Sequence, residues 1–416
     1  MKTINCAIAL CIFFAAGAQA ATLTELQQQA LENRNLVKKY EAALEIGKRD
    51  ESLAKSRLYP SLDLSYTANA LDENSASEDS ENSVAVGAIT WNLFAGFQDR
   101  YNIRSAQLTK SADAFKLAGI KQDIQLNVAL RYLTAYTSQA SLQVAKDSCA
   151  TLRKIHTDAE NRYNVGLIKK NELLRFKVDL DNAVITEKKA QAELDKSIRL
   201  LKREIDGEVD PGQLTFGEFD QLPSLDEKSA IETKMLENRS ELRALQELAQ
   251  AANVQIKAAY GAMLPRLDIT GSYRKYTDEY DLSGNTADEE LRTQLTLSMN
   301  LFDGFGKYHR VGKAKRQEDS LRYDLAELES DLKAQLQNLF LDYAVSAENI
   351  GVAKSSIELA EENLRITRLS YQEGLEKESD LLDAITNLSR AQYNFVSAKS
   401  ELFANYFKIT RAVEGF

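Results

Sequence analysis

Four stretches of the chain alternate apolar and polar residues one by one, the period of a strand with one apolar face. The alternating apolar residues are Leu62, Leu64 and Tyr66; Ile89, Trp91 and Leu93; Leu267, Ile269 and Tyr273; and Leu295, Leu297, Met299 and Leu301. The pattern predicts strands at about residues 61–70, 84–93, 266–275 and 292–301. A polar, acidic stretch separates the two strands of each pair, which predicts a long loop at that point.

Elsewhere the apolar residues recur at helical spacing. Leu321, Leu325, Leu328 and Leu332 follow a 4-3-4 pattern, and such seams favour helix-on-helix packing. With no proline between Pro60 and Pro211 or after Pro265, single helices are predicted at about 103–162 and 311–369. Gly166 and Gly374 then mark the turns into a second helix. Long helical hairpins are therefore predicted at about 103–205 and 309–413.

The two halves of the chain repeat one another. Leu-Glu-Asn-Arg at 31–34 and Pro60 both recur at an offset of 205, whereas Asn-Leu-Phe at 92–94 and Gly166 recur at an offset of 208. A three-residue insertion therefore lies between the proline and the Asn-Leu-Phe motif, where an exposed loop is expected. We divide the chain into a first repeat (21–205), a Gly- and Pro-containing linker (206–225) and a second repeat (226–416).

The first twenty residues have the pattern of a signal peptide. Lys2 precedes an apolar run at 4–16, and Ala18 and Ala20 supply the small residues of a cleavage site. Cleavage after Ala20 removes Cys6 and Cys11 and leaves Cys149 as the single remaining cysteine. We therefore expect an exported chain without an internal disulfide. Cys149 itself is predicted to be a small buried residue on a helix.

Composition and motifs exclude several functions. The 52 Lys and Arg residues are outnumbered by 62 Asp and Glu, for a net charge of −10, so no nucleic-acid partner is expected. His156 and His309 are isolated, without the ligand spacing of a zinc site. Because phosphate-binding, dinucleotide-binding and nucleophile-elbow motifs are also missing, we expect neither an enzyme nor a metal or other cofactor.

Four strands cannot form a closed wall in a membrane by themselves. After the first twenty residues no apolar run is long enough for a transmembrane helix, whereas alternating strands in an exported chain are typical of an outer-membrane barrel. Lipid cannot satisfy a free sheet edge, so the barrel must close through other chains. Two chains would give eight strands with a filled interior. Three would give twelve with a water-filled lumen, which favours a conduit of three copies.

Aromatic residues gather at the predicted strand-to-helix junctions. They are Trp91, Phe94, Phe97, Phe302 and Phe305. Such residues suit the aromatic belt at a membrane interface, and ordinary packing at the junctions is the alternative.

The signal peptide, the repeat, the two Asn-Leu-Phe-x-Gly junctions and the two Tyr-x-x-Gly-Leu turns together resemble the TolC-like outer membrane efflux proteins, or outer membrane factors. The resemblance covers essentially the whole chain after residue 20. It implies an α+β membrane protein with four β-strands per chain, which contribute to a 12-stranded barrel in a homotrimer. A long antiparallel α-helical coiled-coil tunnel continues that barrel through the periplasm.

The resemblance also implies a function and partners. The protein would be a passive exit duct in the outer membrane of a Gram-negative bacterium. Besides itself and outer-membrane lipid, its partners would be a periplasmic adaptor protein and an inner-membrane transporter, either ABC-type or proton-driven. The cargo would be drugs or, in type I secretion, proteins.

By the same resemblance, Asp380 and Asp383 match the aspartates that narrow the periplasmic mouth, and Glu172 matches a further acidic gate position. The spacing of three places both aspartates on one helix face, and crowding in a trimer should raise some pKa values and attract cations. Glu376 stands where the best-known members carry an arginine that clamps the closed mouth. Candidates to replace that arginine are Lys169, Lys170 and Lys377.

The residues that match the adaptor-contacting tip of the family are Val165, Gly166, Leu167, Glu373, Gly374 and Leu375. A glycine at a helix tip permits close approach of another backbone. A rival hypothesis from another class stays open: a secreted coiled-coil structural or adhesive protein, in which the strand pairs merely end the helical hairpins.

Overall fold

The structure is a computed structural model, and it describes residues 21–73, 80–276 and 288–416. The predicted signal peptide, residues 1–20, lies outside the described residues, and so does the middle of each predicted acidic loop.

The described chain is mainly helical, with four strands. The helices are α1 (Leu23–Asn33), α2 (Asn35–Ser56), α3 (Gln98–Asn164), α4 (Lys170–Ile205), α5 (Lys228–Asn238), α6 (Ser240–Gly261), α7 (Gly306–Gln372) and α8 (Glu378–Ala412). The strands are β1 (Ser61–Ala70), β2 (Glu81–Ala95), β3 (Arg266–Tyr276) and β4 (Glu289–Ser298). The predicted α+β chain with four strands is thus confirmed.

The elements repeat with the two offsets found in the sequence. Each half has two helices, two strands, a long helix and a last helix. The helices α1 and α5 start at Leu23 and Lys228, which is the smaller offset. The helices α3 and α7, each of 67 residues, start at Gln98 and Gly306, which is the larger one. The offset changes at the paired strands, because the loop from β3 to β4 is longer than that from β1 to β2, and β3 is longer than β1.

The chain divides into two compact units. The strand unit comprises the described residues of 36–120 and 232–334, and the helical unit comprises those of 21–35, 121–231 and 335–416. The first parts of α3 and α7 belong to the strand unit and their last parts to the helical unit.

The strand unit contains one antiparallel sheet in the order β1-β2-β3-β4. In its register Leu62 lies opposite Ile89, Trp91 opposite Ile269, and Ile269 opposite Leu295. Opposite residues point to the same side of a sheet, so the apolar residues of all four strands share one face. That face is exposed, for example by 86% at Leu64 and 80% at Leu291.

Two predicted strands have different bounds in the structure. The second strand starts at Glu81 and extends to Ala95, because it pairs with both neighbours and passes a bulge between Asn92 and Phe94. The fourth was predicted at about 292–301 but occupies Glu289–Ser298. Ser298 lies opposite Arg266, the first residue of β3 after Pro265, so the residues after Ser298 have no strand to pair with on that side.

In the strand unit, an ion pair joins α2 to α3. Lys110 of α3 contacts Glu51 of α2 at 2.6 Å, and its hydrogen bond, together with that of Lys55, lowers the pKa of Glu51 to about 2. Gly96, with φ +62°, approaches Gly261 so closely that a Cβ there would lie 2.2 Å from the Gly261 carbonyl oxygen. Glycine at position 96 therefore permits both the turn and the contact between the two repeats.

In the helical unit the linker is anchored by aromatic residues. Phe219, in the 3₁₀ turn Gly217–Phe219, is fully buried, with its ring centroid 4.6 Å from that of Tyr136 and 4.8 Å from that of Phe403. The Tyr132 hydroxyl donates to Glu218 at 3.0 Å, and burial, followed by the charge of Glu218, raises the pKa of Tyr132. The segment between the repeats is thus part of the core of this unit.

Candidate functional site

The turn between α3 and α4 and the turn between α7 and α8 have the same backbone. Gly166 and Gly374 both have φ +76°. The Gly166 and Leu167 amides donate to the carbonyls of Tyr163 and Arg162 at 2.9 Å each. Gly374 and Leu375 donate to Tyr371 and Ser370 at 3.1 and 2.9 Å. Both are Schellman turns, in which a residue with positive φ ends the helix. We call residues 165–169 and 373–377 the two tips.

The predicted adaptor-contacting residues lie on these tips with their apolar side chains in solvent. Val165 is 70% exposed, Leu167 73% and Leu375 80%. Glu373 is also exposed. The first tip thus presents two exposed apolar side chains to solvent, and the second tip presents one.

Behind the tips, the acidic residues predicted for the gate have different surroundings. Asp380 accepts the Lys377 backbone N–H at 3.3 Å and therefore caps the start of α8. Asp383 is exposed, Asp380 and Glu172 are partly exposed, and Glu376 is exposed in the tip itself. Within one chain the structure does not gather these four carboxylates into a single cluster with mutual contacts.

Asp383 instead has an acidic neighbour on α4 that the sequence analysis missed. Burial raises the pKa of Asp179, the charge of Asp383 raises it further, and Arg175 opposes both. Asp179 lines a cavity of about 280 Å³ with residues of α3, α4 and α8. Nothing in the local sequence marks Asp179, because the contact depends on how α4 and α8 pack.

An ion pair links the starts of α4 and α8. A guanidinium nitrogen of Arg175 lies 2.8 Å from a carboxylate oxygen of Glu378. The Glu378 side chain is 15% exposed and that of Arg175 is 60% exposed. The lysines proposed as replacements for the family arginine lie differently: Lys169 and Lys377 precede these helices as exposed N-cap residues. Arg175 therefore links the two hairpins through an ion pair. In the repeat its counterpart is Asp383.

A second arginine joins α3 to the end of α7. Arg162 donates to the carbonyl of Gln372 at 2.9 Å and lies 5.4 Å from the centre of the Tyr371 ring. A cation near the last carbonyls of a helix is favourable. Burial raises the pKa of Tyr371, and its hydroxyl is buried without a hydrogen-bond partner among the described residues. Together with the Arg175 ion pair, these contacts link the first helical hairpin to the second near the tips.

An apolar cluster lies directly behind the tips. Phe176 is fully buried and Cys149 is 1% exposed, as expected for that cysteine. The Phe176 ring packs edge-on against Tyr371 at 5.9 Å. Further members are Leu152, Ile155, Ala159, Leu180, Leu381 and Ile385. The cluster combines residues of α3, α4 and α8, so it fixes the helix pairs against each other.

At the strand-to-helix junctions, the predicted aromatic residues form two equivalent pairs. The Phe94 and Phe97 rings lie 5.1 Å apart, and those of Phe302 and Phe305 lie 5.5 Å apart, both edge to face. Phe97, Phe302 and Phe305 are half or more exposed. The Trp91 indole N–H donates to the Leu58 carbonyl at 2.9 Å. These rings border the exposed apolar face of the sheet.

Two further features were considered only for the residues that the structure describes, and neither is present there. None of the helices described there has the length and apolar character needed to cross a membrane. No three His, Cys, Asp or Glu side chains in that part of the chain gather as metal ligands.

An antiparallel sheet with an exposed apolar face, joined to long helical hairpins in a two-fold repeat, defines the class of outer-membrane channel chains. The model of the family described as "Outer membrane efflux protein" matches residues 26–203 and 233–413. The chain belongs to this family, and it is an outer-membrane protein of a Gram-negative bacterium.

Individual relatives are distant in sequence. Protein CyaE of Bordetella pertussis is 24% identical over 330 residues, which are 78% of this chain and 65% of CyaE. Outer membrane protein TolC of Vibrio cholerae is 22% identical, over 92% of this chain and 90% of the length of that TolC. The chain thus spans about two thirds of CyaE and most of TolC.

The fold is shared with solved structures. The crystal structure of the outer membrane protein VceC from Vibrio cholerae superposes with a TM-score of 0.80 at 16% identity. The match covers 94% of this chain and 96% of VceC. The α+β fold of four strands and long helical hairpins is therefore that of known outer-membrane proteins.

Proposed function

We propose that three copies of this chain form a passive exit duct, which spans the outer membrane and extends into the periplasm. The duct receives its cargo from an inner-membrane transporter, ABC-type or proton-driven, through a periplasmic adaptor protein. The cargo is a small toxic molecule or a secreted protein. No catalytic step is assigned to the chain. The family membership supports this function over a secreted coiled-coil adhesive protein.

The observation that carries the proposal is the sheet with one apolar face. Strands of 10 or more residues are about 33 Å long, and with the tilt usual in barrels they span an apolar band of about 25 Å. The opposite face is polar, with Asp63, Thr90 and Asp268 in adjacent strands. A sheet with lipid on one side and water on the other requires this arrangement.

The two edges of the sheet support a closed ring of copies. Within the described chain β1 and β4 are the outer strands, each with one unpaired side. Because β1 and β4 run in opposite directions, β4 of one copy can pair antiparallel with β1 of the next. Two copies would give a barrel filled by side chains, whereas three leave a water-filled lumen. Three copies are therefore the state compatible with a duct.

The acidic gate consists of Glu172, Glu376, Asp380 and Asp383 at the periplasmic mouth. Three copies bring these carboxylates together around one axis, where they attract cations. The exposure of Asp383 and Glu376 supports this role. Asp380 combines it with capping of α8, and Arg175 with Glu378 joins the hairpins that carry the gate.

The tips contact the adaptor through Val165, Gly166, Leu167, Glu373, Gly374 and Leu375. The large exposure of Val165, Leu167 and Leu375 supports this role. In the strand unit, Trp91, Phe94, Phe97, Phe302 and Phe305 form the aromatic belt at the membrane interface, in keeping with their place beside the apolar face of the sheet.

Reconstitution of the purified protein tests the duct. We expect a trimer by native mass measurement in detergent and stepwise conductance in planar bilayers. A folded trimer without conductance, or a monomer that is stable in water without detergent, would contradict the proposal.

The gate is tested in the same bilayers. Asp383→Asn should weaken block of the conductance by divalent cations severalfold, and Asp380→Asn should do so while keeping an acceptor for the cap of α8. Asp181→Asn, an exposed acid of α4 paired with Lys177, is the matched control. Unchanged block in both gate variants would remove Asp380 and Asp383 from the gate.

A further inference from the structure

Basic residues gather where the helices of the strand unit meet the sheet. The first eleven residues of α7, 306–316, contain five Lys or Arg and no Asp or Glu, although the whole chain has a net charge of −10. The N-terminus of a helix carries a positive partial charge and therefore favours acidic side chains. These basic residues thus do not stabilise the start of α7, and an anion outside the chain would compensate their charge.

Four basic side chains near the sheet are exposed and form no ion pair with any residue that the structure describes. They are Arg100 and Arg104 of α3, Lys257 of α6 and Lys315 of α7. With the rise of an α-helix, they lie ~3, ~9, ~6 and ~14 Å from the end of their helix that adjoins the sheet. We call these four residues the basic face.

The two arginines of α3 lie on one side of that helix. Arg100 and Arg104 are four residues apart, the spacing of neighbours on a helix surface. In the repeat, the counterpart of Arg100 is Tyr308, whose side chain is 70% exposed. Arg104 borders a cavity of about 290 Å³ together with residues of α6 and α7, so the three helices that carry the basic face meet here.

The two lysines share helix sides with exposed aromatic rings. Lys257 precedes Tyr260 by three residues, and Lys315 follows Tyr308 by seven, which are spacings of one helix side. The Lys315 ammonium lies 5.7 Å from the centre of the Tyr260 ring. Because Tyr260 is the second-last residue of α6 before the sheet, this contact directs the Lys315 side chain toward the sheet.

The basic face follows directly on the proposed membrane-facing surface. Phe97 and Phe305 of the proposed aromatic belt immediately precede α3 and α7, and such rings lie at the boundary between hydrocarbon and headgroups. The headgroup region adds about 5–7 Å on each side of the hydrocarbon. Long basic side chains that begin just beyond the rings can place their charges in that layer.

We propose that Arg100, Arg104, Lys257 and Lys315 bind the phosphate groups of anionic phospholipids in the periplasmic leaflet of the outer membrane. Basic residues next to a membrane-embedded segment attract anionic headgroups, and an arginine can donate two parallel hydrogen bonds to a phosphate. The exposed rings beside the charges favour a lipid surface over an acidic protein. This inference rests on the sheet being the membrane-spanning part of the proposed duct.

The single tryptophan of the sequence, Trp91, can report which lipid lies beside the basic face. It is 43% exposed, and its indole N–H is held by the Leu58 carbonyl. The full-length protein is reconstituted in vesicles of phosphatidylglycerol and phosphatidylcholine, with brominated acyl chains on one lipid or on the other. Bromine quenches tryptophan fluorescence on contact. We expect quenching to show about fivefold or greater preference for phosphatidylglycerol, and added salt to reduce it.

Substitutions in the basic face should remove this preference. Arg100→Gln combined with Lys315→Gln should lower it about threefold or more, because each basic residue near an anionic surface adds to the attraction. Adding Arg104→Gln and Lys257→Gln should abolish it. The conductance of each variant shows that it has folded and assembled.

The matched control removes two other exposed positive charges. Arg57 and Lys313 also form no ion pair with a described residue, so Arg57→Gln combined with Lys313→Gln changes the charge equally. Arg57 borders a cavity with Thr90 of the polar sheet face. Lys313 lies about 200° around α7 from Lys315. We expect this control to keep the preference of the unchanged protein.

The outcomes separate this inference from the proposed function. Equal quenching by the two lipids, or an unchanged preference in the fourfold variant, overturns the inference. Equal losses in the double variant and its control also overturn it, because net charge alone would then explain the effect. A conducting trimer without a lipid preference leaves the duct intact, whereas a non-conducting monomer contradicts both.

Discussion

The two tips have the same backbone, but the helices that begin after them, α4 and α8, carry opposite charges at equivalent positions. Position 170 is lysine and its counterpart 378 is glutamate; position 175 is arginine and its counterpart 383 is aspartate. Both tips are closed by a Schellman turn with a glycine at φ +76°. The repeat therefore preserves the turn and exchanges the charges around it.

The exchange has a physical benefit, because the two hairpins pack against each other within one chain. Arg175 of the first hairpin meets Glu378 of the second. If both halves carried the charges of the first, position 378 would be a cation and would repel Arg175. Divergence between the repeats thus converts a repulsive contact between equal elements into an attractive one. Substitutions at and behind the tips test how far the two halves differ.

The largest difference is expected in the core behind the tips. Phe176 is fully buried, whereas its counterpart Ala384 is small and buried. Phe176→Ala should lower the free energy of unfolding by about 3–5 kcal/mol because it leaves a cavity. Denaturant unfolding at fixed protein concentration measures the loss. Arg199→Ala, an exposed change on the same helix, should stay within about 0.5 kcal/mol, and equal losses would show that the cluster is not tightly packed.

Replacing the glycine should destabilise the two turns by equal amounts. Gly166→Ala and Gly374→Ala should each cost about 1–2 kcal/mol of folding free energy, because a side chain disfavours the left-handed conformation. Neither added Cβ meets another atom within 4 Å, so backbone strain is the cause. Gly351→Ala, inside α7 and also open, should stabilise by about 0.5–1 kcal/mol. A clear difference between the two tips in thermal unfolding would show that their turns are not equivalent.

The ion pair between the starts of α4 and α8 should contribute less to the free energy of unfolding. Because the Arg175 side chain is 60% exposed, its coupling with Glu378 should be about 0.2–1 kcal/mol. A double-mutant cycle with Arg175→Glu and Glu378→Arg should show recovery in the double variant, and added salt should reduce the coupling. Additive effects of the two changes would mean that the pair does not stabilise the tips.

The smallest expected effect is a change of folding stability with pH. The folded pKa of Asp179 is raised from its ordinary 3.8, first by burial and then by Asp383. The folded state therefore binds this proton more tightly than the unfolded state. Its stabilising contribution is complete below pH 3.8 and is lost as the pH rises through the folded pKa. Asp383→Asn should reduce that loss, as measured by Tm between pH 3 and 7. An unchanged slope in Asp383→Asn would show that Asp383 does not act on Asp179.

Much of the fold follows from patterns in the sequence. The alternation that includes Leu62 and Leu64 and the seam that includes Leu321 and Leu325 have different periods, which distinguish strand from helix. The change of offset between the repeats locates the insertion between paired strands, as the structure has it. Gly166 and Gly374 end their helices as the pattern predicts, because glycine readily adopts positive φ.

The end of the fourth strand could not be derived in this way. Leu301 continues the alternation, yet β4 ends at Ser298 because its partner strand begins opposite that residue. Pairing, and not the local pattern, sets the length of a strand.

The sequence by itself thus determined the element types, the repeat and the resemblance that names the gate and tip residues, because periodicity and glycine conformation are local properties. Only the tertiary structure decided that Arg175 meets Glu378, that Asp179 lies near Asp383, and that the exposed basic residues of α3, α6 and α7 meet beside the sheet. These are relations between helices distant along the chain, and they depend on which faces the packing of the core leaves free.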